Sequence, residues 1–385
     1  MKNIVTIKHL LKITGKKGEA LGTEEGCIYF DGRYAVAATN GATVSIECQQ
    51  EIPAPVLVSV SDLKTAMTAK QTLHFAQRHG ELRINGVRVS SYPTDIMPSD
   101  TTEILDLDKQ VWRAIVRPFR IDGGRLSQVV TGMATRDVRP YLNGMYFDFR
   151  TGAIVATDGH RLHLVEDAIP TVDELPEGMD GVIMPHAMAS LLSIVGGVQD
   201  VFVMGKTDQK DQVKKLTRVI CVAAANARLR IRDIDSGVYP NYRAPFDQNK
   251  NLPIDLVLDS RSTEHLIGVA AIATASAKES AVTISGEDRT VTVAYRDRVQ
   301  RDLAMSYRVG APFSIDVSSV HLRDAIESAG KYGSAIRLRF GRGDCNNAIY
   351  VGSQEFHSIV MARTPKEAEK IEVGVSTAHA AQCPP

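Results

Sequence analysis

Two hydrophobic periods alternate along this chain. Short apolar runs end in Gly-, Asn- or Asp-bearing turns, which is the signal of strands and hairpins. The clearest lies mid-chain. The run Tyr141-Leu142-Asn143-Gly144-Met145-Tyr146-Phe147 and the run Ile154-Val155-Ala156-Thr157 are joined by the turn Arg150-Thr151-Gly152. Asp158-Gly159 then breaks the second run into a polar tip, His160-Arg161, ahead of Leu162. Asp-Gly carries a turn mechanism of its own, so the stretch reads as a hairpin. Val282-Thr283-Ile284-Ser285 and Val291-Thr292-Val293-Ala294 read as another, around Gly286-Glu287-Asp288-Arg289.

The second period is helical. Ile7, Leu10 and Leu11 open the chain at helix spacing. Leu126, Val129, Val130 and Met133 repeat it at i, i+3, i+4 and i+7, as do Leu266, Val269, Ala270 and Ala273. A third element recurs, a strand that runs into a helix. It appears at Val58-Ser59-Val60, Met184-Pro185-His186 and Val317-Ser318-Ser319, with Ser59, Pro185 and Ser318 where caps and first-turn prolines belong. The tip pattern also recurs, since Val36-Ala37-Ala38-Thr39-Asn40-Gly41 parallels Val155-Ala156-Thr157-Asp158-Gly159.

The repeat is too long for a solenoid and suits tandem domains. The expected class is therefore α+β: three similar tandem domains over residues 1–99, 112–244 and 252–363, each with two helices. Polar or proline-bearing stretches, Pro98-Ser99-Asp100-Thr101-Thr102 and Ala244-Pro245-Phe246-Asp247-Gln248-Asn249, are the expected boundaries. Residues 364–385 have little apolar periodicity and are expected to be a mobile or weakly docked C-terminal extension.

Composition narrows the picture. A chain of 385 residues exceeds one ordinary core, which agrees with several domains. Lys+Arg and Asp+Glu both total 45, so any nucleic-acid contact must come from a local patch. The cysteines are five, scattered, and never in a CxxC pair, which argues against a disulfide framework or a zinc site and suits a reducing cytoplasm. No apolar run approaches the roughly 20 residues of a membrane helix, and Lys8 and Lys12 leave no signal-peptide core.

The string from Arg139-Pro140-Tyr141-Leu142-Asn143-Gly144 to Val155-Ala156-Thr157-Asp158-Gly159-His160-Arg161-Leu162 closely resembles the middle domain of the bacterial sliding clamp, the beta subunit of DNA polymerase III. The resemblance extends to about Arg363 and is weakest in the first domain. It implies a ring of two subunits joined head to tail, helices lining a central hole and sheets forming the rim. It implies a processivity factor that encircles double-stranded DNA without reading sequence. A polymerase subunit and a clamp loader would attach through short peptides. Neither catalysis nor a cofactor is expected.

Residue by residue, the resemblance places Leu142, Thr157, Gly159, His160, Arg161, Leu162, Pro240, Val360 and Met361 at the partner-peptide pocket. Lys8, Lys12, Lys16, Lys17, Lys64, Arg125, Arg136 and Arg323 would face DNA, with Lys70, Arg117, Arg120 and Lys331 as flanking basic residues. Val87 and Ile272 match the subunit joint. Taken alone, each basic residue reads as a solvated helix face, and Val87 and Ile272 as ordinary core. The chain departs from the family at Ala244-Pro245 and at Ala362-Arg363-Thr364, where a basic-aliphatic pair and a Pro-Met-Arg-Leu ending are usual. An altered peptide specificity is expected, as in a phage- or plasmid-borne clamp. The alternatives are a clamp-derived decoy for replication partners and a hydrolase using Asp158 and His160. No Gly-rich phosphate loop, nucleophile elbow or metal motif supports the last.

Overall fold

The structure is a computed structural model. It describes residues 5–13, 26–31, 33–39, 41–48, 55–67, 73–79, 81–89, 91–93, 112–175, 179–210, 213–234, 238–276, 280–287, 290–295, 299–303, 312–331, 335–341 and 348–363. Lys16, Lys17, Lys70 and the extension 364–385 lie outside the described residues.

One plan is used three times. In the first unit, β1 (Cys27–Asp31), β2 (Tyr34–Thr39) and β3 (Ala42–Glu47) form a meander, and β4 (Val56–Ser59) pairs with β1. β4 runs straight into α2 (Val60–Ala66), while α1 (Ile7–Ile13) precedes the meander. A second meander follows, β5 (Phe75–Arg78), β6 (Glu81–Ile84) and β7 (Val87–Arg88), then β8 (Ser91–Pro93) on β4.

The middle unit repeats this. β9 (Arg113–Asp122) leads into α3 (Gly123–Val129), and β10 (Gly144–Asp148), β11 (Ala153–Thr157) and β12 (Arg161–Val165) make the meander. β13 (Gly181–Pro185) pairs with β10 and enters α4 (His186–Val195). The second meander is β14 (Val198–Lys210), β15 (Val213–Ala224) and β16 (Ala227–Arg232).

The last unit opens with a short helix, α5 (Arg243–Asn249), then β17 (Ile254–Leu258) and α6 (Ser260–Ser276). Its meanders are β18 (Ala281–Glu287), β19 (Thr290–Tyr295) and β20 (Val299–Leu303), then β22 (Ile336–Phe340), β23 (Ala348–Gly352) and β24 (Phe356–Met361). Between them β21 (Phe313–Ser318) pairs with β18 and enters α7 (Ser319–Gly330).

The strand-to-helix corners form for local reasons. The Ser59 hydroxyl accepts from the Asp62 amide at 3.1 Å, and Ser318 accepts from His321 at 3.5 Å, each satisfying a first-turn donor. Beyond the corners, Leu63, Leu191, Leu192, Leu322 and Ile326 are buried against one face of the sheets.

The units are joined by their strand edges. β3 of the first unit pairs with β16 of the second, from Ala227↔Ile46 to Ile231↔Ala42. β12 of the second pairs with β24 of the third, from Arg161↔Val360 to Val165↔Phe356. Two long sheets result, of nine and eight strands, with the helices other than α5 packed on one side. α1 touches α4, α3 touches α4 and α7, and α6 packs on α7. Residues 244–249 are the stretch in which the sequence expects a domain boundary, and that expectation concerns the division into units, not the local conformation. The chain is helical there, and Phe246 buries itself on the opposite face of the eight-stranded sheet, over β23 and β24.

Candidate peptide and DNA surfaces

The β11–β12 tip is locked by its own side chains. The Asp158 carboxylate accepts from the backbone amides of His160 and Arg161 at 2.9 and 3.0 Å, an Asx turn. The Thr157 hydroxyl donates to the Arg161 carbonyl at 2.6 Å and accepts from the Gly159 amide at 3.1 Å. Gly159 has φ +89°, the left-handed region, and a Cβ there would meet the Arg139 guanidinium at 3.2 Å.

Arg161 is turned inward. Its guanidinium binds Asp158 at 3.0 Å and Asp324 of α7 at 2.7 Å, with the side chain only 10% exposed. His321, one turn before Asp324, lies 3.9 Å from Asp158, and its ring stacks on that of His160 at 6.2 Å. Arg161 therefore ties the hairpin of the middle unit to a helix of the last. Asp158 is engaged by two amides and this guanidinium. Among the described residues no cluster of His, Cys, Asp or Glu could hold a metal.

Alternation divides the remaining pocket residues between two faces. Leu162 and Ile359 are register partners and share an apolar cluster with Tyr146, Tyr239, Tyr242 and Phe246. Val360, the register partner of Arg161, is fully buried in the other cluster, beneath the helices. Val360 thus projects away from Leu162, because successive side chains on a strand point to opposite faces. Ile359, not Val360, shares the face of Leu162, a point that parity in the sequence would have given once the register was known.

Met361, 41% exposed, is held beside the tip by its amide, which donates to the His160 carbonyl at 2.9 Å. Pro240 is exposed in the segment that crosses the cluster. Tyr239, next to it, stacks on Tyr146 at 4.3 Å and meets Tyr141 edge-on at 6.2 Å. Leu142 is buried in the short turn before β10. Tyr141, Tyr239 and Ile359 were missed from the sequence, and the run of tyrosines before β10 and α5 was the available signal. Arg139 rims the tip, and its double hydrogen bond to Asp137 holds that carboxyl down at about 2.

The expected DNA-facing residues differ in their freedom. Lys8 and Lys12 of α1 and Lys64 of α2 are exposed, as is Arg136. Arg125 is engaged by the Asp167 carbonyl at 2.5 Å and Glu355 at 2.7 Å. Arg323 lies within 3.7 Å of Asp324 and 3.9 Å of Glu327. Lys331 donates to the Ser127 carbonyl of α3, and burial lowers its pKa. Arg117 and Arg120 are exposed on β9, a strand, with Arg120 3.2 Å from Asp200. α4 carries neither lysine nor arginine. Val87 and Ile272 are both exposed, 37% and 43%, rather than core.

Three units of two meanders and two packed helices, fused edge to edge, define a clamp fold. In particular it is the fold of the bacterial DNA polymerase sliding clamp, matched over 93% of this chain. The clamp from Caulobacter crescentus superposes with TM-score 0.62 at 18% identity, covering 96% of that chain. The Pseudomonas aeruginosa clamp gives TM-score 0.60 at 17% identity, over 94% of this chain and 98% of that one. A Helicobacter pylori beta clamp bound to a DNA ligase peptide gives 0.60 at 13%, over 94% and 100%. A scan against protein-family models finds no match, and a search of curated proteins finds no similar sequence.

Proposed function

We propose that this chain is a sliding clamp: copies close head to tail around duplex DNA and hold a polymerase there. The observation that carries this reading is the pattern of strand edges. The third strand of the first meander pairs with the third strand of the next unit's second meander twice within the chain, as β3–β16 and β12–β24. The same rule leaves one strand of each kind over, β20 at one end and β7 at the other. A β20–β7 pairing between copies continues the rim and covers Val87 and Ile272. A repeated heterologous contact that closes gives a ring, and two copies of three units, bounded near 1–99, 112–244 and 252–363, form it.

In this reading the protein is not an enzyme, needs no cofactor and works in the cytoplasm. Encirclement replaces tight binding, so affinity for DNA is weak and indifferent to sequence, with Lys8, Lys12 and Lys64 contacting phosphates. A peptide bearing a Gln and two apolar residues docks on Met361, Pro240, His160 and the edge of the Leu162–Ile359 cluster. It comes from the polymerase or the clamp loader and raises that partner's effective concentration at DNA. The test is solution mass together with retention on circular and linear DNA. A dimer that stays on a closed circle and runs off when it is cut supports the reading. A monomer, or equal retention on both, overturns it.

A further inference from the structure

Charged side chains crowd the β11–β12 tip, and they are matched with one another. Asp158 and Asp324 share Arg161, and Arg139 holds Asp137. Arg323 lies within 3.7 Å of Asp324 and 3.9 Å of Glu327. Asp316, on the strand that leads into α7, accepts from the Thr283 hydroxyl at 2.6 Å. Two imidazoles stand among them without such partners. The rings of His160 and His321 stack with centroids 6.2 Å apart and planes 23° apart. His321 Nε2 lies 3.9 Å from Asp158, beyond hydrogen-bond distance. Neither ring makes a hydrogen bond to a described residue; only the backbone amides do, to Asp158 and to Ser318.

The pair belongs to two units and to one surface. His160 is exposed at the tip, and the His321 side chain is 22% exposed on the first turn of α7. The exposed Met361 is tied to the His160 carbonyl, so the rings adjoin the apolar docking residues. An imidazole has its ordinary pKa near neutrality, and small changes beside it move a proton. Burial and then the Arg161 cation hold His321 below its ordinary value, so its ring is neutral at neutral pH. His163, buried two residues further along β12, stays neutral down to about 3 and takes no part.

We propose that His160 and His321 form a proton-linked subsite of the peptide surface, which takes one carboxylate of the partner peptide, beside its apolar residues, together with one proton. The inference rests on the peptide reading above. Arg161 does not take that carboxylate, being 10% exposed and bound to two carboxylates of its own. An imidazolium does, because a charge-assisted hydrogen bond needs an uncommitted N–H, and these rings have one. The second ring stays neutral, since two stacked imidazoliums repel. A bound carboxylate favours the protonated ring and raises its pKa. The added affinity is therefore full below the free ring's pKa and is lost as pH rises through that of the bound ring. The peptide's own glutamate stays ionised above about 4.3.

The test is isothermal titration calorimetry of the full chain with two short peptides. Both carry a Gln and a Leu-Phe pair; one has Glu on each side of the pair, and the other has Gln there. The Glu peptide should bind about tenfold tighter at pH 6 than at pH 8, and the Gln peptide equally at both. Heats in buffers of different ionisation enthalpy should show about one proton taken up with the Glu peptide. His160→Phe and His321→Phe keep a ring in the stack and remove its proton; each should flatten the profile, and the double variant should abolish it. Thermal melts like those of wild type show that the variants fold; should one not fold, the proton uptake of wild type decides by itself. The inference is overturned if both peptides share one pH profile, if no proton is taken up, or if the double variant keeps the dependence. In those cases binding of the Gln peptide still supports the docking reading. Binding of neither peptide at either pH overturns both.

Discussion

Arg161 is the residue whose role the structure changes most, and the change can be measured. A guanidinium free to hold a peptide would contribute nothing to stability. One held 3.0 Å from Asp158 and 2.7 Å from Asp324, 10% exposed, joins two units. Its carboxylate partners are themselves only 16% and 15% exposed, so screening by water is slight. Arg161→Met leaves Asp158 without its guanidinium and Asp324 with only Arg323, 3.7 Å away, and should cost about 3–5 kcal/mol. Asp324→Ala leaves Arg161 with Asp158 and should cost less, about 1.5–3 kcal/mol, the range of one hydrogen bond to a charged group. The double variant leaves only Asp158 uncompensated, so it should be more stable than the sum of the two losses, by about 0.5–3 kcal/mol. Urea denaturation of the four proteins at low salt reads the cycle, with peptide affinity measured alongside. Additivity of the two losses would refute the joint role. So would a large loss of peptide affinity in Arg161→Met with no change in stability.

Three further outcomes are expected. Burial holds the pKa of His163 at about 3 against an ordinary 6.5, so between these values the unfolded chain binds the extra proton. Stability should therefore be full above about 6.5 and fall on acidification by up to about 1.4 kcal/mol per pH unit, less steeply in His163→Gln, as urea midpoints at pH 7 and 5 would show. Met361→Asp, at an exposed position, should weaken a Gln-and-apolar peptide by about 1.5–3 kcal/mol in calorimetry without altering solution mass, and undiminished binding would place the peptide elsewhere. Lys8→Ala/Lys12→Ala should lower the salt slope of duplex binding by roughly 2, at about 0.9 per phosphate contact, and an unchanged slope would remove α1 from the DNA surface.

Local chemistry made much of this fold legible. The corners at Ser59 and Ser318 carry side-chain caps that act within one turn, and Pro185 stands at the third corner, immediately before its helix, with its φ preset by the ring. The hairpin around Arg150-Thr151-Gly152 and the one after Ile284 depend on turns and alternation, which are equally local. What stayed hidden depends on partners far away in sequence. The face on which Val360 lies follows from its register with Arg161, almost two hundred residues earlier, and a register cannot be read from one strand. α5 looked like a linker because Pro245, Asp247 and Asn249 are poor helix residues. It is helical because Phe246 gains a cluster of tyrosines to pack on, and tertiary burial outweighs propensity. Arg125 and Arg161 looked like free cations because their counter-charges, Glu355 and Asp324, sit on another unit.

The internal joints also bear on what the remaining sheet edges can pair with. β7 and β20 have no partner on their outer edges among the described strands, and an open edge invites unspecific pairing. Both are poor templates for a stranger. β7 is only two residues long, and one of them, Arg88, is engaged by Glu81 at 3.1 Å. β20 carries Gln300, Arg301 and Asp302 in succession, all exposed, so apolar alternation is interrupted along the edge. The apolar contribution must then come from outside the strands, from Ile272 on α6 and the single Val87. Such an edge joins only a surface that presents strand and apolar residue in the matching arrangement. In the clamp reading, the other end of a second copy is that surface. The internal joints need no such discrimination, and the middle–last joint carries polar bonds of its own: Gln128 of α3 donates to the Ser328 carbonyl of α7 at 3.0 Å in the buried core, beside the Lys331–Ser127 bond and the Arg125–Glu355 ion pair. In the clamp reading, a ring that opens parts between copies and leaves the two internal joints shut.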